Sequence, residues 1–289
     1  MTNSAKGSAN FRVPVLSNAE DLINSVDTFI FDCDGVIWKG ETLIDGVPET
    51  LDMLRSRGKS LVFMTNNSTK SRKQYRKKFE ALGLTVQEEE IFPSSFAAAA
   101  YLKSIDFPQE KKVYVIGGEG ILQELELCGI KGIGGPVGAV VVGFDQFINF
   151  YKIQYGTLCI RENPGCLFIA TNCDAVGHFT DAQEWAGGGS MVGAIKGSTQ
   201  KEPLVLGKPS TFMMDHVSKK FETDKSKICM VGDRLDTDIL FGINSGCKTL
   251  LVLSGVTTLS MLQSPENDIQ PDFYTEKVSN LLTQNDTDV

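Results

Sequence analysis

No stretch of this sequence is apolar enough to cross a bilayer. Its longest uninterrupted apolar run, "VGAVVVGF" (137–144), has eight residues, where a spanning helix needs roughly 20. Paired cysteines are missing too. The seven that occur (33, 128, 159, 166, 173, 229 and 247) include no CxxC spacing. An odd, scattered set lying mostly inside apolar runs such as "KICMVG" argues against a disulfide framework or a thiolate zinc site, and for reduced thiols in a cytosol-like compartment. Positive charge is in deficit: 28 Lys and Arg face 36 Asp and Glu, for a net charge of −8. That disfavours nucleic acid and anionic membrane as partners. The N-terminal "MTNSAKGSANFRVPVLSNAE" contains no apolar signal region. A cytoplasmic location is expected, with a short organelle-targeting segment as the alternative because the stretch contains serine and is free of acidic residues until Glu20. There is no internal repeat and no low-complexity tract.

What is present reads as an α/β protein. Hydrophobic residues make up 42% of the chain and charged residues 22%, ordinary for a globular protein. Apolar runs at 27–32, 60–67, 204–210, 227–234 and 248–253 predict strands. Between them "GVPETLDMLRSRG", "TKSRKQYRKKFEALG" (69–83) and "SSFAAAAYLKS" (94–104) predict helices. The basic run inside 69–83 is read as the outer face of an amphipathic helix, because Tyr75, Phe79 and Leu82 form one stripe. Alternating strands and helices imply a mostly parallel, Rossmann-like sheet covered on both faces. Residues 107–201 carry strands of their own and are expected to form a smaller inserted α/β cap domain, with 1–106 plus 202–289 as the core. "GGEG" (117–120) and "AGGGSMVG" (186–193) lack the lysine–serine pair of a P-loop and are read as turns and cap loops.

Polar residues fall where four of these strands end. They are Asp32 and Asp34 in "TFIFDCDGVIWKG", then Thr65, Asn66 and Asn67, then Lys208, then Asp233. In parallel α/β sheets ligands bind beyond the carboxyl ends of the strands, so four strands are expected to deliver these groups to one edge. Carboxylates so placed suit Mg²⁺, which takes a few carboxylate oxygens together with water and phosphate oxygens. A carboxylate nucleophile attacking a phosphate dianion needs cationic screening, which Mg²⁺ and Lys208 would supply. A second carboxylate, Asp34, would serve as general acid and then base. Cys33, between two carboxylates, is expected to be an unreactive thiol.

The ordered motifs "DCDGVIWKG", "TNNS", "GKPS" and "GDRLDTDI" resemble the four signatures of the haloacid dehalogenase superfamily of phosphatases. The long insertion between "TNN" and "GKP" is similar to its C2-capped branch. "NFYKIQYGTLCIRENPGCLFIATN" and "TDAQEWAGGGSMVGA" resemble plant-type phosphoglycolate phosphatases over nearly the whole chain. The resemblance implies Asp32 as nucleophile and Asp34 as acid/base, with its main-chain carbonyl on the metal. It also implies Thr65 and Asn66, with Asn67 beside them, on the phosphoryl group, Lys208 neutralising it, Asp32 and Asp233 on Mg²⁺, and Asp238 supporting the metal from behind. Asp236 receives no such role and is read as a first-turn helix residue. The four residues 65–68 are also expected to cap the helix that follows them. His178 and Trp185 lie in the loop where capped relatives read the leaving group, so His178 is a candidate substrate contact and equally a surface histidine.

The implied activity is Mg²⁺-dependent hydrolysis of a small phosphomonoester, foremost 2-phosphoglycolate, by a homodimer joined through the cap. Glycerol 3-phosphate, pyridoxal 5′-phosphate and nitrophenyl phosphate are alternative substrates. A phosphomutase, or a non-catalytic dimer partner with an impaired cap, are alternative functions. The chain departs from the resemblance at "GIKGIGGPVG" (129–138), where plant members carry a longer segment before "VGAVVVGFD".

Overall fold

The computed structural model of the protein describes residues 13–130, 136–177 and 183–282. In chain order the strands of its two larger sheets are β1 (Thr28–Phe31), β2 (Ser60–Thr65), β3 (Ile91–Pro93), β4 (Lys112–Ile116), β5 (Val137–Val142), β6 (Leu167–Ala170), β7 (Leu204–Val205), β8 (Ile228–Gly232), β9 (Lys248–Val252) and β10 (Phe273–Thr275). The helices are α1 (Ala19–Ser25), α2 (Val47–Ser56), α3 (Arg72–Ala81), α4 (Ser94–Ser104), α5 (Glu119–Leu127), α6 (Phe150–Glu162), α7 (Gly188–Thr199), α8 (Phe212–Lys220), α9 (Leu240–Ser245) and α10 (Leu259–Leu262). A six-stranded sheet has the order β10-β9-β8-β1-β2-β3, and a four-stranded sheet the order β7-β6-β5-β4. The fold is therefore mixed α/β, with a parallel core sheet and a separate smaller sheet. Among the described residues no helix is long and apolar enough to cross a membrane.

The chain divides into two compact units. The first comprises Met1–Lys39, Leu43–Leu61 and Thr223–Val289; the second comprises Gly40–Thr42 and Val62–Glu222. In the first unit β1, β8 and β9 are buried almost throughout, as continuous apolar runs such as "TFIF" and "ICMVG" require of strands covered on both faces, while the edge strand β10 is only partly buried. β1 and β8 pair in parallel with Phe31 opposite Val231. That register sets Asp32 and Asp233 just past the carboxyl ends of neighbouring strands.

In the second unit β4, β5, β6 and β7 are all parallel. Ile116, Val140, Val142, Ile160, Phe168 and Ile195 form the core beneath them. Here the structure corrects the sequence reading. The run at 204–210 supplies only the short strand Leu204–Val205, which pairs with β6 of the smaller sheet and not with the core sheet. The Leu206 N–H continues that pairing to the Ala170 carbonyl at 3.0 Å. Lys208 is thus delivered by a loop leaving the smaller sheet. A second correction concerns "AGGGSMVG", which is not a loop throughout: α7 begins at Gly188. Tight packing accounts for glycine there, since a Cβ on Gly189 would lie 2.6 Å from the Cys173 carbonyl oxygen.

The predicted helix at 69–83 is shorter at both ends, Arg72–Ala81, and its N-cap is Ser71, not a residue of 65–68. Ser71 and Gln74 exchange hydrogen bonds as a capping box. Tyr75 and Phe79 are buried, as the stripe requires. One basic residue of the run turns inward. Arg72 reaches the fully buried Glu124 of α5, with Nη2–Oε2 at 2.9 Å and Nε–Oε2 at 3.0 Å. The Arg72 main-chain N–H adds 2.7 Å to Oε1, and the guanidinium lies over the Phe96 ring at 4.0 Å. Of the shortened segment, residues 131–135 lie outside the described residues. On its near side the Ile130 N–H bonds the Leu125 carbonyl, and on its far side the Lys112 N–H bonds the Pro136 carbonyl.

Removing one partner of a buried ion pair leaves an uncompensated charge and costs about 3–5 kcal/mol, whereas an apolar pair of similar volume is far milder. Arg72→Met is therefore expected to lower the urea midpoint strongly, and adding Glu124→Met to recover much of the loss. Equal midpoints for the single and double variants would contradict this account.

Candidate active site

In the first unit three carboxylates converge. Asp32, Asp233 and Asp238 are all buried, and one oxygen of each lies within 4.8 Å of the others. Such a set is repulsive unless its charge is balanced. Main-chain donors supply part of that balance. The Asp233 and Arg234 N–H groups donate to Asp238 Oδ2 at 3.1 and 3.0 Å, and the Val256 N–H donates to Asp233 Oδ2 at 2.8 Å. The cluster fits a hard divalent cation, because its donors are all carboxylate oxygens and, among the described residues, no softer ligand joins them.

The surrounding backbone is closely fitted to these carboxylates. Gly35 has φ +87°, and a Cβ there would lie 2.5 Å from Asp233 Oδ2. A Cβ on Gly255 would lie 1.9 Å from the same oxygen. Ser254 Oγ donates to the Gly35 carbonyl at 2.7 Å, joining the two glycine turns. Asp238 lies in a π-helical turn, Leu235–Ile239, that carries Thr237 and Asp238 inward. Asp236 points out on the same turn and forms a two-point pair with Arg234, at 3.1 and 2.7 Å. The pair explains Asp236 without any ligand. Asp34 is exposed, and its Oδ1 accepts the Trp38 indole N–H at 2.8 Å. Cys33 is fully buried.

In the second unit Thr65, Asn66 and Lys208 are buried. The Asn66 amide is committed on both sides. Its Nδ2 donates to the Lys208 carbonyl at 2.9 Å and to Asp174 Oδ1 at 3.0 Å, and its Oδ1 accepts the Lys208 N–H at 2.8 Å. The Asn66 side chain therefore fixes the Lys208 loop. Gly207 makes this approach feasible, since a Cβ there would lie 2.7 Å from Asn66 Oδ1. Lys208 Nζ donates to the Met64 carbonyl at 2.9 Å, so the buried ammonium points back along β2. Thr65 Oγ1 accepts the Asn67 N–H at 3.1 Å. Asn67 Oδ1 accepts from the Thr69 N–H and hydroxyl, closing a turn. His178 lies outside the described residues. Trp185 is exposed on a two-stranded ribbon with Val176–Gly177.

Four contributors escaped the sequence reading: Trp38, Asn172, Asp174 and Ser254. Asn172 Nδ2 donates to the Asn66 carbonyl at 2.7 Å. The signal for Trp38 was present in "DCDGVIWKG", four residues after Asp34. Asn172 and Asp174 had no local signal, because their partner is more than a hundred residues away in sequence. Burial pushes the Cys247 thiol up to about 12 and holds Cys229 well above its usual range, in keeping with inert core thiols.

Two family descriptions match the chain: "Haloacid dehalogenase-like hydrolase" over residues 29–131 and "HAD-hydrolase-like" over 205–281. The chain is 73% identical to phosphoglycolate phosphatase 1A, chloroplastic, of Arabidopsis thaliana, over 93% of its own length and 80% of that protein. It is 37% identical to human glycerol-3-phosphate phosphatase, with 91% and 92% covered. Among solved structures it resembles a 4-nitrophenylphosphatase from Thermotoga maritima (TM-score 0.83, 28% identity, 90% and 97% covered). It also resembles a glycerol phosphate phosphatase from Mycobacterium tuberculosis in complex with magnesium (TM-score 0.81, 26% identity, 92% and 79% covered). The chain belongs to the haloacid dehalogenase-like hydrolase family and resembles its plant phosphoglycolate phosphatases. The Arabidopsis alignment spans 288 positions yet takes in only 93% of this chain, so that relative carries residues this chain lacks.

The Gly255 contact yields a test. Gly255→Ala should displace the Asp233 carboxylate and raise the Mg²⁺ concentration needed for half-maximal phosphatase activity by about tenfold or more, the usual range for disturbing a ligand's support. The same clash falls on a buried side chain, so the unfolding midpoint should fall as well. An unchanged Mg²⁺ titration would show that Asp233 is not a metal ligand.

Proposed function

We propose that this protein is a Mg²⁺-dependent phosphomonoesterase that hydrolyses 2-phosphoglycolate to glycolate and phosphate. The observation that carries this reading is the buried Asp32–Asp233–Asp238 cluster at adjacent strand ends, taken with the high identity to plant phosphoglycolate phosphatases. Asp32, Asp233 and the Asp34 main-chain carbonyl would hold the ion, with Asp238 bracing the loop. Bound there, the ion supplies positive charge that offsets the carboxylates and the substrate phosphate.

The chain's own residues divide the work as follows. Asp32 attacks phosphorus, and the bond to the leaving alcohol oxygen breaks. Asp34 gives that oxygen its proton, so glycolate leaves as an alcohol and an aspartyl-phosphate remains. Water then attacks the phosphorus and surrenders a proton to Asp34, freeing Asp32 and inorganic phosphate. Thr65 and the Asn66 main chain hold phosphoryl oxygens, and Lys208 neutralises their charge. Residues 107–201 act as the cap that selects the alcohol, with His178 as a candidate contact. The seven free cysteines, four of them buried, suit a reducing compartment such as the cytoplasm.

The experiment is phosphate release with Mg²⁺ from 2-phosphoglycolate, glycerol 3-phosphate, pyridoxal 5′-phosphate and 4-nitrophenyl phosphate, with Asp32→Asn as the blank. The expected result is a clear kcat/KM preference for 2-phosphoglycolate and none of it in the blank. Comparable activity in Asp32→Asn would remove the nucleophile, and a preference for another ester would reassign the substrate.

A homodimer joined through the cap is part of the same proposal. Phe150, Tyr151 and Tyr155 of α6 are exposed at 69%, 82% and 50%, an apolar face of the kind that a second copy covers. Sedimentation velocity should give a dimer that Tyr151→Glu weakens. A monomer at all concentrations would remove this part alone.

A further inference from the structure

Trp38 is fully buried, yet its indole N–H reaches an exposed carboxylate. The loop between them is closed on itself. The Trp38 N–H donates to the Cys33 carbonyl at 3.2 Å, and the Gly35 N–H donates to the Trp38 carbonyl at 2.7 Å. The ring is thereby fixed by core packing and main chain together, and its Nε1 delivers one hydrogen bond of 2.8 Å to Asp34 Oδ1. An exposed aspartate ordinarily samples several rotamers in water. This one has a rigid donor on one oxygen. An indole N–H can only donate, so Oδ1 is an acceptor whatever the charge on the carboxyl group, and Oδ2 is left as the oxygen free to exchange a proton.

We infer that Trp38 is a positioning residue for the acid/base step: it fixes the Asp34 carboxyl so that Oδ2 faces the leaving-group oxygen. The inference rests on the reading of Asp34 as acid/base. As the bond from phosphorus to the alcohol oxygen breaks, the Oδ2–H bond breaks and its proton passes to that oxygen, leaving Asp34 as carboxylate. When water later attacks the aspartyl-phosphate, one of its protons returns to Oδ2 as the bond between Asp32 and phosphorus breaks. A merely structural Trp38, satisfying its own N–H, would serve all substrates alike.

The leaving group separates the two roles. Nitrophenolate departs without a proton, whereas an alkoxide needs one. Trp38→3-benzothienylalanine keeps the ring's shape and deletes the donor, and Trp38→Phe is the genetically simple companion. Against glycerol 3-phosphate or 2-phosphoglycolate, kcat/KM should fall by about tenfold or more, a part of what general acid catalysis contributes. Against 4-nitrophenyl phosphate it should change little, with an unchanged unfolding midpoint for the benzothienyl variant. Equal losses on both kinds of ester, or no loss, would overturn the inference. Asp34→Asn is the control. If it discriminates alkyl from aryl esters and the Trp38 variants do not, Trp38 alone is misassigned. If it does not discriminate, the reading of Asp34 fails and the inference with it.

Discussion

Repulsion among buried carboxylates is the constraint on which the rest of this structure depends. Asp32, Asp233 and Asp238 share a space of a few ångströms where water is largely excluded, and like charges held so close cannot be tolerated without compensation. The first unit is built around supplying it. Parallel pairing of β1 with β8 brings two of the three to neighbouring strand ends. The π-helical turn then folds Asp238 back so that it accepts two main-chain N–H groups from the loop that carries Asp233. A cluster of carboxylate oxygens held in this way suits a hard cation.

That arrangement leaves no room for side chains in the turns that close over it. Gly35 and Gly255 both crowd the same Asp233 oxygen, and at either position a single added carbon would collide with the carboxylate. The same logic recurs in the second unit, where Gly207 lets Asn66 reach the main chain of Lys208. There the strategy is a polar network built on an amide side chain and including the Asp174 carboxylate. Asn66 satisfies both ends of its amide on the Lys208 loop and on Asp174, and Asn172 and Ser94 bond its carbonyl. Buried networks of this kind are rigid when fully satisfied, which suits residues proposed to receive a phosphoryl group without rearranging.

The strands β1, β8 and β9, the helix α4 and the ordered acidic motifs were legible because each is encoded locally. Apolar runs mark strands, and a helix former such as "FAAAAYL" marks itself. The strand at Leu204–Val205 was assigned to the wrong sheet because two apolar residues carry no information about their partner, and only β6 decides it. The glycine run before α7 hid a helix start because glycine's low helix propensity is outweighed there by close packing against residues 172–174. Ser71 outcompeted the earlier polar residues as a cap because Asn67 is already turned onto Thr69. Arg72 read as one charge among many until its burial against Glu124 was seen.

The sequence by itself determined the chemistry available: which carboxylates end which strands, which lysine follows the insertion, and that glycine accompanies them. These are properties of residue type and local order, which the backbone reads within a few positions. The tertiary structure alone decided which of those groups meet and which are already spent. Whether Asn66 offers its amide or its main chain, whether Asp236 faces a metal or an arginine, and whether Trp38 is filler or a donor to Asp34 depend on partners brought near by folding. Hydrogen bonds act only over about 3 Å, and no spacing in a linear sequence specifies that distance.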